Sequence, residues 1–146
     1  MKVILQRVLK SSVEVEGAKV GTSEKGFCIL AGISPKDTEQ SLTKMVEKIA
    51  NLRVFEDENG KMNLSLLDIN GTLLIVSQFT LLADCSHGRR PSFINAGDPQ
   101  KAKELFDLFV EKFKKMNIPV QTGVFGADML VTIYNDGPAT FILESE

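Results

Sequence analysis

Residues 64–84 read LSLLDINGTLLIVSQFTLLAD. Two apolar runs flank Asn70-Gly71, a dipeptide suited to a tight two-residue turn because both of its residues tolerate positive φ. The stretch predicts a β-hairpin and, with it, an antiparallel sheet. Its second run continues into Ser77, Gln78, Phe79 and Thr80, where polar groups interrupt an otherwise apolar strand. A strand with one wet face would give that pattern. So would a strand end that presents hydroxyls and an amide to a ligand. The residues alone leave both open.

Upstream, KVILQRVLKSSVEVEGAKVG (2–21) places β-branched residues in partial alternation around a turn at Gly17. GFCILAGI (26–33) is a continuous apolar run of strand length, closed by Pro35. Asp37 is the expected N-cap of a helix, with Gln40 in the capping-box position. Leu42, Met45, Val46, Ile49 and Leu52 then recur at helical spacing, with Lys44, Glu47 and Lys48 on the other side. RVFEDENGKMN (53–63) reads as a strand followed by an Asn59-Gly60 turn.

Downstream, residues 84–99 form a polar loop that carries GRRPSF (88–93). Asp98 and Pro99 then open a second helix, as N-cap and first-turn proline. Its apolar stripe is Ala102, Leu105, Phe106, Phe109, Val110, Phe113 and Met116, and it ends near Asn117. The tail from Val120 predicts two or three more strands, with bends at Gly123 and Gly126. Within it, NDGPAT (135–140) carries turn chemistry between the apolar MLVTIY and FIL. Pro138 sits where a pairing strand would want an N–H. An X-Pro bond is cis only about 5–6% of the time, so composition predicts a trans turn. The whole reads as one α+β domain, 1–146: a mostly antiparallel sheet or partly closed barrel with two amphipathic helices packed outside.

Apolar residues at 43% and charged residues at 25% suit a globular core without staples. Cys28 and Cys85 make neither a disulfide framework nor a metal set. No apolar run approaches the ~20 residues of a membrane span, and the N-terminus lacks a signal-peptide core, so a cytoplasmic protein is expected. Seventeen basic and nineteen acidic residues leave a net charge of −2, which argues against broad binding along a nucleic-acid backbone. A local basic site at Arg89 and Arg90 stays open, since the guanidinium fork suits phosphate. The acidic stretch 56–61 fits no calcium loop, and no Gly-rich phosphate loop is present. Neither metal nor cofactor is expected. His87 neighbours Asp84, Cys85 and Ser86, yet adjacency in sequence is not triad geometry, and a surface position is expected for it.

Five stretches occur together in one order: MKVILQRV (1–8), SQFTL (77–81), GRRPSF (88–93), TGVFGADM (122–129) and NDGPAT (135–140). This set resembles the D-aminoacyl-tRNA deacylase family, from Met1 to nearly the last residue. The resemblance implies a homodimer that hydrolyses the ester between a D-amino acid and the terminal ribose of tRNA. It implies removal of mischarged glycine and sparing of L-aminoacyl-tRNA. It implies that Gly137-Pro138 is a cis pair projecting into the partner subunit's pocket, where a main-chain wall excludes an L side chain. It assigns Ser77, Gln78, Phe79 and Thr80 to the catalytic pocket strand, Arg7 to bracing the Gly-Pro segment, and Met129 to the pocket lining. Arg89 and Arg90 would meet the phosphates of the acceptor end.

This chain has His87 where the family often has lysine, and Ala139 where it often has valine. A subgroup with relaxed chirality differs in the SQFTL stretch, which is intact here. Larger relatives carry a C-terminal extension tied to DNA binding, and since this chain stops at Glu146 no DNA partner is expected. Two other readings stand beside the enzyme: a non-catalytic nucleic-acid-binding module on the same fold, and a hydrolase of some other small ester.

Overall fold

A computed structural model describes residues 1–145 and places strand β1 (Lys2–Val15) at the centre of the sheet. Strand β8 (Leu130–Glu144) runs antiparallel along one edge of β1, from Glu14↔Leu130 to Lys2↔Glu144. The other edge is shared. Strand β3 (Gly26–Gly32) takes its first half and β2 (Ala18–Ser23) its second, both antiparallel. Beyond β3 come β6 (Thr72–Ser77) and β7 (Val120–Thr122), each added in parallel. The sheet then curls until β2 approaches β7. There Thr22 donates its N–H to Gln121 Oε1 at 2.6 Å, and a Cβ on Gly21 would lie 2.7 Å from the Thr122 carbonyl oxygen. The result is a mixed sheet nearly closed as a barrel. A two-stranded hairpin, β4 (Phe55–Glu56) with β5 (Met62–Leu64), lies apart and turns at Asp57–Gly60.

Alternation divides the sheet's side chains between two cores. Phe27, Ile29 and Ala31 of β3, with Leu73 and Ile75 of β6, face the two helices. Cys28, Leu74 and Val76 face inward, joined by Val8, Val13 and, from the 129–133 segment, Met129, Val131 and Ile133. Burial inside the barrel pushes the Cys28 thiol up to about 11 despite a hydrogen bond with Ser11. Helix α1 (Glu39–Asn51) buries Leu42, Met45, Val46, Ile49 and Ala50, and α2 (Pro99–Lys114) buries Phe106, Phe109, Val110 and Phe113. Apart from Ala50 these belong to the predicted stripes, whose Leu52, Ala102, Leu105 and Met116 are only half-buried, and Asp98 caps α2 by accepting from the Lys101 N–H.

The structure corrects four local expectations. Thr38, not Asp37, is the N-cap of α1. It forms a reciprocal box with Ser41 rather than Gln40. Asp37 is drawn away by a stronger partner, the buried Met1 amine at 2.6 Å, and also takes the Ser34 N–H and the Ser41 hydroxyl.

Asn70-Gly71 makes no hairpin. Ser65 and Asp68 cap each other, Ile69 bonds back to Ser65, and Gly71 to Leu66. One helical turn results, closed by Asn70 at φ 51, and it buries Leu66 completely. Local side-chain bonding outcompetes the two-residue turn, and β6 joins the sheet in parallel.

SQFTL is not all strand. Ser77 ends β6, Gln78 follows, and Phe79–Leu82 form a 3₁₀ turn. Finally, NDGPAT does not separate two strands. The β1–β8 register jumps from Val8↔Asn135 to Gln6↔Thr140, so four residues, Asp136–Ala139, bulge opposite the single Arg7 within one long strand.

Candidate functional site

The end of β6 is built for presentation. The Gln78 N–H is used by Ala31 O, and the Leu81 N–H by Gln78 O. Among the described residues, the N–H groups of Phe79 and Thr80 take no protein acceptor, as befits donors in the first turn of a helix. The Thr80 hydroxyl oxygen accepts from the Gln78 side-chain amide, and no basic group hydrogen-bonds it. Phe79 is 59% exposed, and its ring meets that of Phe93 at 5.2 Å between centroids, tilted 56°.

Phe93 follows a loop whose ends are tied by Asp84 and Ser92, each donating to the other's carbonyl at 2.8 and 2.9 Å. That bridge and the aromatic contact attach the exposed Arg89 and Arg90 loop to the 3₁₀ turn. Phe93 belongs to the quoted GRRPSF stretch, but its neighbourhood with Phe79 was not legible, since fourteen positions separate them. His87 is exposed, and Asp84 is committed to the Ser86 hydroxyl and N–H, which hold its carboxyl below the usual range. The structure therefore makes no triad of Asp84, Ser86 and His87. Among the described residues no group of three His, Cys, Asp or Glu side chains is placed to hold a metal.

The bulge in β8 is the second cluster. Its Gly137–Pro138 peptide bond is cis, and Gly137 and Pro138 are exposed. Arg7, only 5% exposed, reaches it from β1. Its Nε donates to Asp136 O at 3.1 Å, Nη1 donates to Val54 O at 2.7 Å, and the Asp136 carboxylate lies 3.5 Å from Nε. Gly137 has φ +123, and a Cβ there would come within 2.8 Å of Arg7 Nη2.

The two clusters do not meet within one chain. Ser77 pairs with Ala31 and Ala31 with Val3, while the bulge lies opposite Arg7. Three strand spacings of roughly 4.8 Å and four residues of roughly 3.4 Å separate them, so about 20 Å along the sheet. Met129 joins the inner core that holds Val76, one residue before Ser77. It packs against Gly123, just beyond Thr122, which pairs with Ile75 two residues before Ser77. Eight residues of mostly extended chain, about 25 Å, part Met129 from Gly137. Three surface clefts lie away from both clusters: beside α1 and Arg53, on the outer face of β1, β2 and β8, and between α1 and the end of β8.

The fold and this geometry define a class: a small α+β barrel with a surface site of main-chain donors, an amide, a hydroxyl, paired aromatic rings and an arginine loop. The sequence pattern of the D-Tyr-tRNA(Tyr) deacylase family matches residues 4–144, and the chain belongs to that family. It is 60% identical to a D-aminoacyl-tRNA deacylase of Sulfurihydrogenibium sp. over 100% of this chain and 99% of that one. It is 56% identical to one of Clostridium perfringens, over 100% and 98%. Among solved structures, a "c-Myc DNA Unwinding Element Binding Protein" superposes with a TM-score of 0.95 at 44% identity, over 100% and 99%. A "probable eukaryotic D-amino acid tRNA deacylase" shares the fold, with a TM-score of 0.80 at 19% identity over 97% of both chains. No helix among the described residues is long and apolar enough to cross a membrane.

Proposed function

We propose that this protein hydrolyses the ester between a D-amino acid and the terminal ribose of tRNA, releases glycine from mischarged tRNA, and spares L-aminoacyl-tRNA. The observation that carries this reading is the family match across residues 4–144, with Ser77–Thr80 intact and its first-turn N–H groups unengaged. Water attacks the acyl carbon as the carbon–oxygen bond to the ribose breaks, and the ribose oxygen takes up a proton. The Phe79 and Thr80 N–H groups receive the charge that develops on the carbonyl oxygen. Gln78 orients the ester or the terminal adenosine, and Phe79 supplies an apolar surface to the base or ribose. In this reading water rather than Thr80 is the nucleophile, which fits a hydroxyl that accepts from Gln78 and, among the described residues, has no base hydrogen-bonded to it. The neighbouring 2′-hydroxyl and tight positioning help the water. Arg89 and Arg90 meet acceptor-end phosphates.

The active unit is a homodimer in the cytoplasm, needing no metal or other cofactor and taking no DNA. The partner subunit's Gly137 and Pro138 face Ser77–Thr80 and Met129, which accounts for the gap between the two clusters within one chain. A wall of main-chain carbonyls accepts the substrate's α-amino group and leaves no room for an L side chain. A D side chain points elsewhere and glycine has none, so both fit. Selection comes from what is refused rather than from what is bound.

A second reading, a non-catalytic nucleic-acid binder, is favoured by the likeness to the DNA-unwinding-element protein. The net charge of −2 weighs against it. Release of amino acid from D-tyrosyl-, L-tyrosyl- and glycyl-tRNA, with chelator present, separates the two. Loss of D-tyrosine and glycine alone supports the proofreading hydrolase. Cleavage of all three keeps a hydrolase and discards the filter. Binding without cleavage leaves the nucleic-acid module.

A further inference from the structure

A wall that excludes by shape works only if it cannot retreat. The Asp136–Ala139 bulge has left the β1–β8 ladder, so the sheet itself does not hold it. Two side chains replace the missing ladder bonds. Arg7 holds the front, at Asp136 O. Asn135 holds the back: its Oδ1 accepts the Ala139 N–H at 3.1 Å, and its Nδ2 donates to Thr140 Oγ1 at 2.8 Å. The main-chain N–H can only donate, which fixes which way the Asn135 amide faces. Asn135 and Thr140 are also the pairing residues on either side of the bulge. One side chain therefore spans the base of the loop and ties its last residue, Ala139, to the strand residue that precedes it.

We propose that Asn135, oriented by Thr140, is a positioning residue for chiral selection: it sets how well L-aminoacyl groups are refused. This rests on the proposed deacylase activity. Without the Asn135 carbonyl, the Ala139 N–H loses its partner and Gly137–Pro138 is pinned from Arg7 alone. A main chain free to shift by a fraction of an ångström admits a Cβ that the fixed wall turns away. The loss therefore falls on discrimination more than on hydrolysis.

The test is the ratio of D-tyrosyl- to L-tyrosyl-tRNA cleavage, with melting temperature measured alongside. Asn135→Ala should lower that ratio about tenfold, the worth of one good hydrogen bond, mainly through faster L-cleavage. Thr140→Val, which frees the Asn135 amide, should lower it about threefold, and Thr140→Ser should restore it. If Asn135→Ala does not fold, the Thr140 pair decides alone. Parallel loss of both activities, or an unchanged ratio in folded variants, overturns the inference while leaving the deacylase standing. A wild-type protein that cleaves neither substrate overturns the deacylase and this inference with it.

Discussion

Two stretches of this chain look alike on paper and end as opposites. Asn70-Gly71 and Asn135–Gly137 both set turn residues between apolar runs. The first closes a helical turn whose own groups satisfy one another, and a Cβ on Gly71 would collide with the Leu66 Cδ1 methyl and stand 3.2 Å from Ile69 Cδ1. The second swells out of a continuous strand, its Gly137 and Pro138 exposed, held by Arg7 from across the sheet and by Asn135 at its own base. One glycine lets the core close. The other keeps space clear beside a buried guanidinium. Turn composition reports that a chain bends, and what lies opposite decides why.

Alanine at each glycine should separate the two roles. Gly137→Ala places a Cβ against Arg7 Nη2 at a φ that L residues rarely adopt. It should lower D-tyrosyl-tRNA cleavage by about a hundredfold, with only about 1–2 kcal/mol of stability lost. Gly71→Ala overfills a finished core and should cost about 1–3 kcal/mol in chemical denaturation. Its activity per folded molecule should stay near wild type. Equal effects of the two substitutions on activity would erase the distinction.

Acid sharpens the stability side. Asp37 is pushed up by burial, yet bonds from the Met1 amine, the Ser34 N–H and Ser145 outweigh this and hold its carboxyl below the usual range. A depressed carboxylate contributes stability above its unfolded value, about 3.9, and loses it as pH falls through the folded one. Asp37→Asn should therefore be less stable than wild type at neutral pH, with the gap closing below about pH 4. A gap that persists into strong acid would mean the Met1–Asp37 pair is not its source. The smallest effect belongs to Thr80→Val, which should keep cleavage within about tenfold of wild type. A loss of several thousandfold would make that hydroxyl the nucleophile.

Period-based reasoning reached both helices and their buried stripes, because alternating wet and dry faces are written locally. It reached β1 and β2 through partial alternation and β3 and β6 as apolar runs of strand length, while 65–70, expected as a strand, form a turn. It missed the parallel placement of β6, because the Ser65–Asp68 box and the burial of Leu66 compete with a hairpin only once the core exists. For the site, family likeness pointed to Ser77–Thr80, Arg7 and Gly137-Pro138. Phe93 against Phe79, and Asn135 across to Ala139, rest on contacts that spacing does not encode.

Subunit mixing tests the shared site most directly. One chain carries Gly137→Ala; another has Gln78 and Phe79 both replaced by alanine. Each alone should be nearly inactive toward D-tyrosyl-tRNA. If a partner's bulge completes each pocket, a mixed dimer holds one doubly altered site and one intact site. Random exchange of the two chains should then restore about a quarter of wild-type activity. A mixture no more active than its parts would contradict a site built from two chains.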